Sequence, residues 1–495
     1  MKPLLPLNLV WIKRDLRTQD HAPLEAAEKD GKPYCIIFLW EPALLNAPDQ
    51  SDRHRCFEWQ SLQDMNQTLA PFHRKVELLY ADAVDVMEWF SQNYALHKVF
   101  SYQESGTAIT YQRDLNVQKL MLRHGVEWQE FQRNGVRRGL KTREGWDRSW
   151  YDHASSRCID NHFQTSVLDR PSFPKSWEVP PLLLAKYVQY VPAMQAGGEK
   201  NAWRYWSSFA IERHTNYHRL ISKPLESRKS CSRLSPYLSW GNLSIRQVWN
   251  ATRTMQECNS KANINLKAMQ AFRDRLRWHD HFIQKFEQDY LYESRAINRA
   301  FRQLPTSNSE DLLVAWAQGQ TGYPLVDACM RALEATGWVN FRMRALLVSF
   351  LTHTLNLDWT QGTHHLAKLF LDYHPGIHYT QFQMQAGVTG ANLIRAYNPV
   401  LNGLRHDSNG EFVRQWIPEL APLPDKLLQQ PWLITEIEAK MYGYQPGITY
   451  PNPVVHPNAK RKPMVEHLWK TRQTEEALHE KGRILNKFAR LPIKR

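Results

Sequence analysis

The chain is predicted to be an α/β domain built on a doubly wound parallel sheet, followed by an all-α domain. Three observations predict this. Residues 1–135 alternate short apolar runs with amphipathic stretches, the strand–helix–strand repeat of a parallel sheet covered on both faces. Residues 201–495 carry apolar side chains almost throughout at helical spacing. Between them, residues 136–200 lose both periods to Arg, Trp, Ser and Pro, as an inter-domain linker does.

The elements follow in order. NLVWIK (8–13), YCIIFLW (34–40), VELLYA (76–81), HKVFSY (97–102) and VEWQEF (126–131) are apolar or β-branched runs of strand length. RCFEWQSLQDMNQTLA and YQRDLNVQKLMLRHG, lying between them, are amphipathic and read as helices. RPSFPKSWEVPP is the least regular part of the linker. AGGEKNAWRYW opens the second domain, where LSIRQVWNATRTM, AFRDRLRWHDHFIQKFEQDYL, PLVDACMRALEATG and FRMRALLVSFLTHTL keep a helical period. From His456 onward, eleven Lys and Arg against four Glu predict a polar, basic tail. HYTQFQMQAG (378–387) fits neither a helix stripe nor a strand alternation, and no internal repeat is visible.

Composition narrows the function. A chain of 495 residues with a net charge of +14 suits a polyanionic partner such as nucleic acid, or carries a merely solvated basic surface. Nineteen tryptophans exceed ordinary usage and suggest ring stacking or electron transfer as well as core. Six cysteines without any CxxC spacing argue against a zinc site or an iron–sulfur cluster and for reduced, cytosolic thiols. MKPLLPLNLVW lacks the long apolar run of a signal peptide, and ALLVSFLTHTLNL (345–357) is too short and polar to span a bilayer. The expectation is a soluble cytoplasmic protein.

Neither GxGxxG nor GxxxxGK[ST] occurs. SCSRLSPYLSWGNLS (230–244) offers another phosphate device, with Ser235 as helix N-cap and Pro236 at the first helical position; an ordinary capped helix has the same signature. His279, Asp280 and His281 diverge around a helix by about 200° between alternate positions, so no metal is expected there. His364 and His365 read as a solvated or core pair.

Five segments, NLVWIKRDLRTQDHAPL, SRLSPYLSWGNLS, AWAQGQTGYPLVDACMRALEATGW, FRMRALLVSFLTHTLNLDW and YNPVLNGLRHDSNGEFVRQWIPEL, stand in order across nearly the whole chain. Together they closely resemble the photolyase and cryptochrome family. The resemblance implies an antenna-type α/β domain and a helical domain holding FAD. It implies light-driven electron transfer to UV-damaged DNA, whose poorly stacked lesion flips out easily, and the positive charge then serves phosphate neutralisation.

Carried over by position, Ser232, Leu234 and Ser235 match the phosphate-holding turn, with Cys231 in place of the usual threonine. Tyr217 lies at about the expected distance before it. Arg344 and Asp372 match the charged pair beside the isoalloxazine, and Trp338 a ring lining the same cavity. His378 replaces an asparagine facing flavin N5, and His374 an aspartate that meets the ring; a histidine near N5 would titrate near neutrality and tune flavin protonation. Phe382 replaces the tryptophan nearest the flavin in the usual relay, Trp359 is its retained middle member, and no outer tryptophan stands near Thr306. Substitute donors are Tyr373, Tyr379 and Trp338. Lys13, Arg14 and Arg17 fit the antenna-domain signature or form surface or inter-domain ion pairs.

Trp278 matches the ring on which a flipped pyrimidine stacks, and Arg342 a DNA-contacting arginine. Arg275 replaces the acid that typically holds a cyclobutane dimer, Phe341 the neighbouring asparagine, and Met384 the second stacking tryptophan. The paired histidines of 6–4 repair are absent at Asn340 and Phe341. The expectation is a monomeric DNA photolyase of a divergent, bacterial-type branch; a cryptochrome-type light sensor without repair activity is the alternative. A plain electron-transfer flavoprotein is set aside because the match runs through RQWIPEL. An antenna chromophore could be a folate, a deazaflavin, a second flavin or none.

Overall fold

A computed structural model describes residues 5–165, 171–258, 265–457 and 463–489. The first domain contains a five-stranded sheet: β1 (Pro6–Ile12), β2 (Tyr34–Leu39), β3 (Val76–Leu79), β4 (Ala95–Tyr102) and β5 (Glu127–Phe131). The order is β3-β2-β1-β4-β5, and every pairing is parallel. Each predicted strand is present within about two residues. Helices Ala22–Asp30, Asp52–Leu69, Ala83–Asn93 and Ala108–Arg123 make the crossovers, so β1 and β2 are buried on both sides, as their unbroken apolar runs require.

The two faces of β1 serve two cores. Leu7, Leu9 and Trp11 pack with Ile37, Val86 and Phe90 under the outer helices. Val10 and Ile12 point the other way, into a cluster containing Phe38 and Phe57 together with Tyr217, Trp240, Phe272, Trp338 and Leu371 of the helical domain. One face of the sheet is therefore roofed by the second domain.

The loop after β1 grips that roof. Arg17 Nη1 donates to the Gly241 carbonyl at 3.1 Å, Asn242 Nδ2 to the Leu16 carbonyl at 2.9 Å, and Arg14 Nη1 to the Tyr373 carbonyl at 2.9 Å. The crevice beyond the carboxyl ends of the strands, where an α/β sheet usually takes a ligand, is crossed by ion pairs. Lys13 meets Asp114 at 3.0 Å and Arg113 meets Glu41 at 2.8 Å.

The linker region carries helices of its own, Trp146–Ser155 and Pro181–Tyr187. Trp146 and Trp150 are buried, and the Trp150 indole donates to Asp280 Oδ2 at 2.8 Å. The basic tail is more ordered than its composition suggests. Pro463–Arg472 and Glu475–Phe488 are helices that bury Met464, Leu468, Ile484 and Phe488; the rest of the tail, residues 458–462 and 490–495, lies outside the described residues. No helix among the described residues is long and apolar enough to cross a membrane.

Candidate active site

Four stretches of the helical domain enclose a cavity of about 290 Å³. The first is the turn at 231–235. Arg233 takes a left-handed φ of 60°, and the Leu234 amide donates to Ser232 Oγ at 3.3 Å. The helix that follows runs Ser235–Trp240, and its N-cap position is Leu234, without a side-chain cap. Ser235 is thus inside the helix and does not cap it. Six residues also give too short a stack of peptide dipoles to carry the anion argument made from the sequence.

The second wall is the Leu266–Gln288 helix, begun by Asn265, whose side chain accepts from the Ala268 amide at 3.1 Å. Phe272, Arg275, Leu276, His279 and Phe282 face the cavity at helical spacing. The third starts at Asn340, which caps the Phe341–Ser349 helix through the Met343 amide at 3.0 Å. The fourth is the Pro375–Ala386 helix, the conformation that HYTQFQMQAG takes. His374, His378, Gln381 and Gln385 lie on its cavity side while Tyr379, Thr380 and Gln383 are buried elsewhere. It is buried on several sides, so it needs no single apolar stripe. Gly376 lets it approach the second wall: a Cβ there would stand 2.8 Å from Ile283 Cα.

Most of the residues proposed from the sequence converge. Tyr217, Ser232, Leu234, Ser235, Arg275, Trp278, Trp338, Arg344, Asp372, His374 and His378 all line the cavity. Trp359, Arg342 and Met384 do not. Trp359 is buried behind Phe382 with ring centroids 6.4 Å apart, Arg342 is half-buried with its guanidinium 5.7 Å from the Phe341 ring, and Met384 is half-buried.

Arg344 and Asp372 form a two-pronged pair, Nη1 to Oδ1 at 3.0 Å and Nη2 to Oδ2 at 2.8 Å. The Arg344 Nε also donates to the Val339 carbonyl at 3.0 Å, and its plane lies 4.1 Å from the Phe370 ring. Fixed in this way, it presents a rigid polar edge to a planar ligand. At the mouth, Trp278 is 45% exposed and Phe341 is 41% exposed. The Arg275 guanidinium sits between them, 4.8 Å from one ring and 4.6 Å from the other.

His378 Nε2 donates to the Thr363 carbonyl at 2.9 Å, leaving Nδ1 as an acceptor. Burial pushes its pKa down to about 4, and burial likewise holds His374 well below the usual histidine range. Both rings are neutral at physiological pH. The expectation that His378 titrates near neutrality is corrected, because loss of hydration outweighs its single hydrogen bond to a carbonyl.

Among the polar lining residues that sequence reasoning missed, Arg233 and His279 carry ionisable groups. Arg233 stacks 4.1 Å from the Trp338 ring and donates from Nε to Gln195 Oε1 at 3.0 Å; burial lowers it to about 10, so it remains charged. His279 bonds Asp280 Oδ1 through Nδ1 at 3.0 Å, and its buried Nε2 has no partner among the described residues. The signal for Arg233 was its place inside the SCSRLSP turn. His279 had none, because its facing depends on helix phase.

The donor set fits FAD. Three guanidiniums (Arg233, Arg275, Arg344) face the cavity with one carboxylate, Asp372, which Arg344 already engages. That surplus suits a pyrophosphate, and the apolar and aromatic walls suit a ring system. Among the described residues no group of three or more His, Cys, Asp or Glu is placed to hold a metal.

Comparison with known proteins agrees with this geometry. Residues 8–138 match the family model described as DNA photolyase, and residues 272–470 match that of the FAD binding domain of DNA photolyase. A deoxyribodipyrimidine photo-lyase of Vibrio cholerae is 28% identical, with 88% of this chain and 95% of that protein covered. Cryptochrome-1 of Sinapis alba is also 28% identical, covering 94% and 97%. The solved structure of a Synechocystis cryptochrome superimposes with a TM-score of 0.82 at 22% identity, covering 95% of this chain and all of the other, and shows the shared fold.

Proposed function

Because the chain belongs to the photolyase/cryptochrome family and carries its FAD-binding domain, we propose that it is a blue-light DNA photolyase acting on a UV-induced pyrimidine photoproduct. The observation that carries this reading is the mouth of the cavity. Trp278 is a large, half-exposed ring beside the Arg275 guanidinium, at the rim of the cavity. A flipped base stacks on such a ring while the cation meets its phosphate or carbonyl oxygens.

Bound FAD supplies a light-excited one-electron donor. The chain's own residues bind and orient it. Ser232, Arg233, Leu234, Ser235 and Tyr217 hold the phosphate end, and the Arg344–Asp372 pair fixes the polar edge of the ring. His378 offers Nδ1 as a neutral acceptor, and His374 closes the wall beside it. Arg342 and Arg275 contact DNA, and Met384 adds apolar surface on the DNA-facing side. Trp338 and Trp359 are the tryptophan donors of this reading, although the Arg233 cation lies 4.1 Å from the Trp338 ring and Phe382 separates Trp359 from the cavity. An antenna fits poorly: the crevice at the end of the sheet is about 70 Å³ and crossed by ion pairs, against about 300–1,000 Å³ for ordinary ligand pockets.

The Arg275–Phe341 contact favours a second reading, a cryptochrome-type light receptor without repair activity, because it fills the mouth with a cation and an apolar ring where a lesion would dock. The deciding experiment illuminates protein with chemically reduced flavin and oligonucleotides carrying a cyclobutane dimer or a 6–4 product. Restoration of intact pyrimidines in either supports the photolyase and names its lesion. Fully reduced flavin that repairs neither, in single or double strands, supports the receptor.

A further inference from the structure

Four oxidisable rings line the cavity: Tyr217, Trp278, Trp338 and Tyr373. Three of them stand against a guanidinium. Arg233 lies 4.1 Å from the Trp338 ring, Arg275 lies 4.8 Å from Trp278, and the Arg275 charge also acts on the Tyr217 phenol. A neighbouring fixed cation opposes removal of an electron, and among the described residues none of the three is hydrogen-bonded to a carboxylate.

Tyr373 is placed differently. Its hydroxyl donates to Asp49 Oδ2, a buried carboxylate brought in by the loop after β2. The contact joins residues 324 positions apart and both domains. Arg14 lies 5.7 Å from the Tyr373 ring, but it is committed to Trp240 at 4.3 Å and to Glu104 at 3.8 Å. The His378 ring meets Tyr373 edge-on at 5.3 Å, and His54 stacks on it at 5.8 Å. Burial pushes the phenol up, so it stays protonated until it is oxidised. An oxidised phenol that kept its proton would be a buried cation, and a carboxylate in contact removes that obstacle.

We propose that Tyr373 and Asp49 form a proton-coupled electron donor to the cavity. This rests on the flavin reading above. One electron leaves Tyr373 for light-excited, oxidised flavin, and the phenolic proton moves along the hydrogen bond to Asp49. The O–H bond at Tyr373 breaks and one at Asp49 forms. Tyrosine plus carboxylate becomes a neutral tyrosyl radical plus a carboxylic acid, and the flavin gains the electron. An external thiolate then gives one electron to Tyr373 and becomes a thiyl radical, two of which couple to a disulfide, while Asp49 returns the proton to the phenol. Phe382, which is too hard to oxidise for this task, lies between Trp359 and His378, with ring centroids 6.4 and 5.4 Å away.

The test uses the full chain loaded with FAD, under blue light with a thiol, and all rates are taken per bound flavin. Wild type gives a tyrosyl radical by electron paramagnetic resonance, and flavin photoreduction slows in D₂O. Tyr373→Phe loses the radical. Asp49→Asn keeps the phenol but loses the isotope effect and slows photoreduction about tenfold or more. In flavin-free protein, the labelled Tyr373 C–O vibration shifts in Asp49→Asn, which reports the hydrogen bond independently of light. A tyrosyl radical that survives Tyr373→Phe, or photoreduction equal to wild type in both variants, overturns the donor pair and leaves the flavin reading standing. Protein that takes up no FAD overturns both.

Discussion

Gly241 lies so close to Arg14 that a Cβ added to it would stand 2.1 Å from the Arg14 carbonyl oxygen. Its φ of +77° also excludes most other residues. This contact seats the C-terminal end of the Ser235–Trp240 helix against the loop after β1. Gly241→Ala is expected to destabilise the protein by about 3 kcal/mol and to weaken FAD retention, measured by urea unfolding and by flavin content after gel filtration. Unchanged stability would show that the two loops slide apart freely.

The Arg344–Asp372 pair should be intolerant of conservative change. Asp372→Asn leaves a partly buried guanidinium without its carboxylate, and loss of one partner from such a pair costs about 3–5 kcal/mol. Arg344→Lys keeps the charge but loses the fork, so FAD affinity falls in both variants. Titration calorimetry with FAD and denaturant melts read the two effects separately.

Burial of His378 sets a pH dependence with a definite sign. Its folded pKa of about 4 lies below the ordinary value of 6.5, so between these values the unfolded chain binds the extra proton. Its contribution is complete above pH 6.5 and is lost as pH falls towards 4, amounting to about 3 kcal/mol. His54 and His374 shift in the same direction. The informative quantity is therefore the difference between wild type and His378→Asn, with the variant losing less stability over that range. Parallel pH–stability curves would refute the assignment.

Trp278→Ala should weaken binding of lesion-bearing DNA by about 1–3 kcal/mol, with a smaller effect on undamaged DNA. Trp278→Phe should restore much of the difference. Arg275→Gln should lower the salt dependence of binding by about one phosphate contact. Fluorescence anisotropy over a salt series measures both, and equal losses on damaged and undamaged DNA would remove the stacking role.

Much of this was legible in the sequence. Strands β1 and β2 announced themselves because a parallel sheet buried on both faces leaves uninterrupted apolar runs. Arg344, Asp372, Trp338 and the Ser232–Ser235 turn were found through resemblance, and the fold brings them to one cavity. What could not be read depends on contacts between distant segments. Tyr373 stood among several candidate donors, and only the fold brings Asp49 to its hydroxyl. His378 looked like a titrating group because its position suggested a role, whereas its degree of hydration was invisible. Its helix was obscured because several of its sides are buried, which erases the one-sided pattern that marks a surface helix.

The sheet face formed by Val10, Ile12 and Phe38, roofed by Trp240, Phe272 and Leu371, has a consequence for synthesis. The first 135 residues leave the ribosome long before the segments that cover this face exist. The bond from Arg14 to the Tyr373 carbonyl, 359 positions further along the chain, closes only after that much more has been translated. The nascent α/β half therefore waits with an uncovered apolar surface, the condition under which large chains aggregate or recruit chaperones. Truncation between the halves is expected to yield insoluble fragments, and co-expression of the two pieces to recover soluble protein.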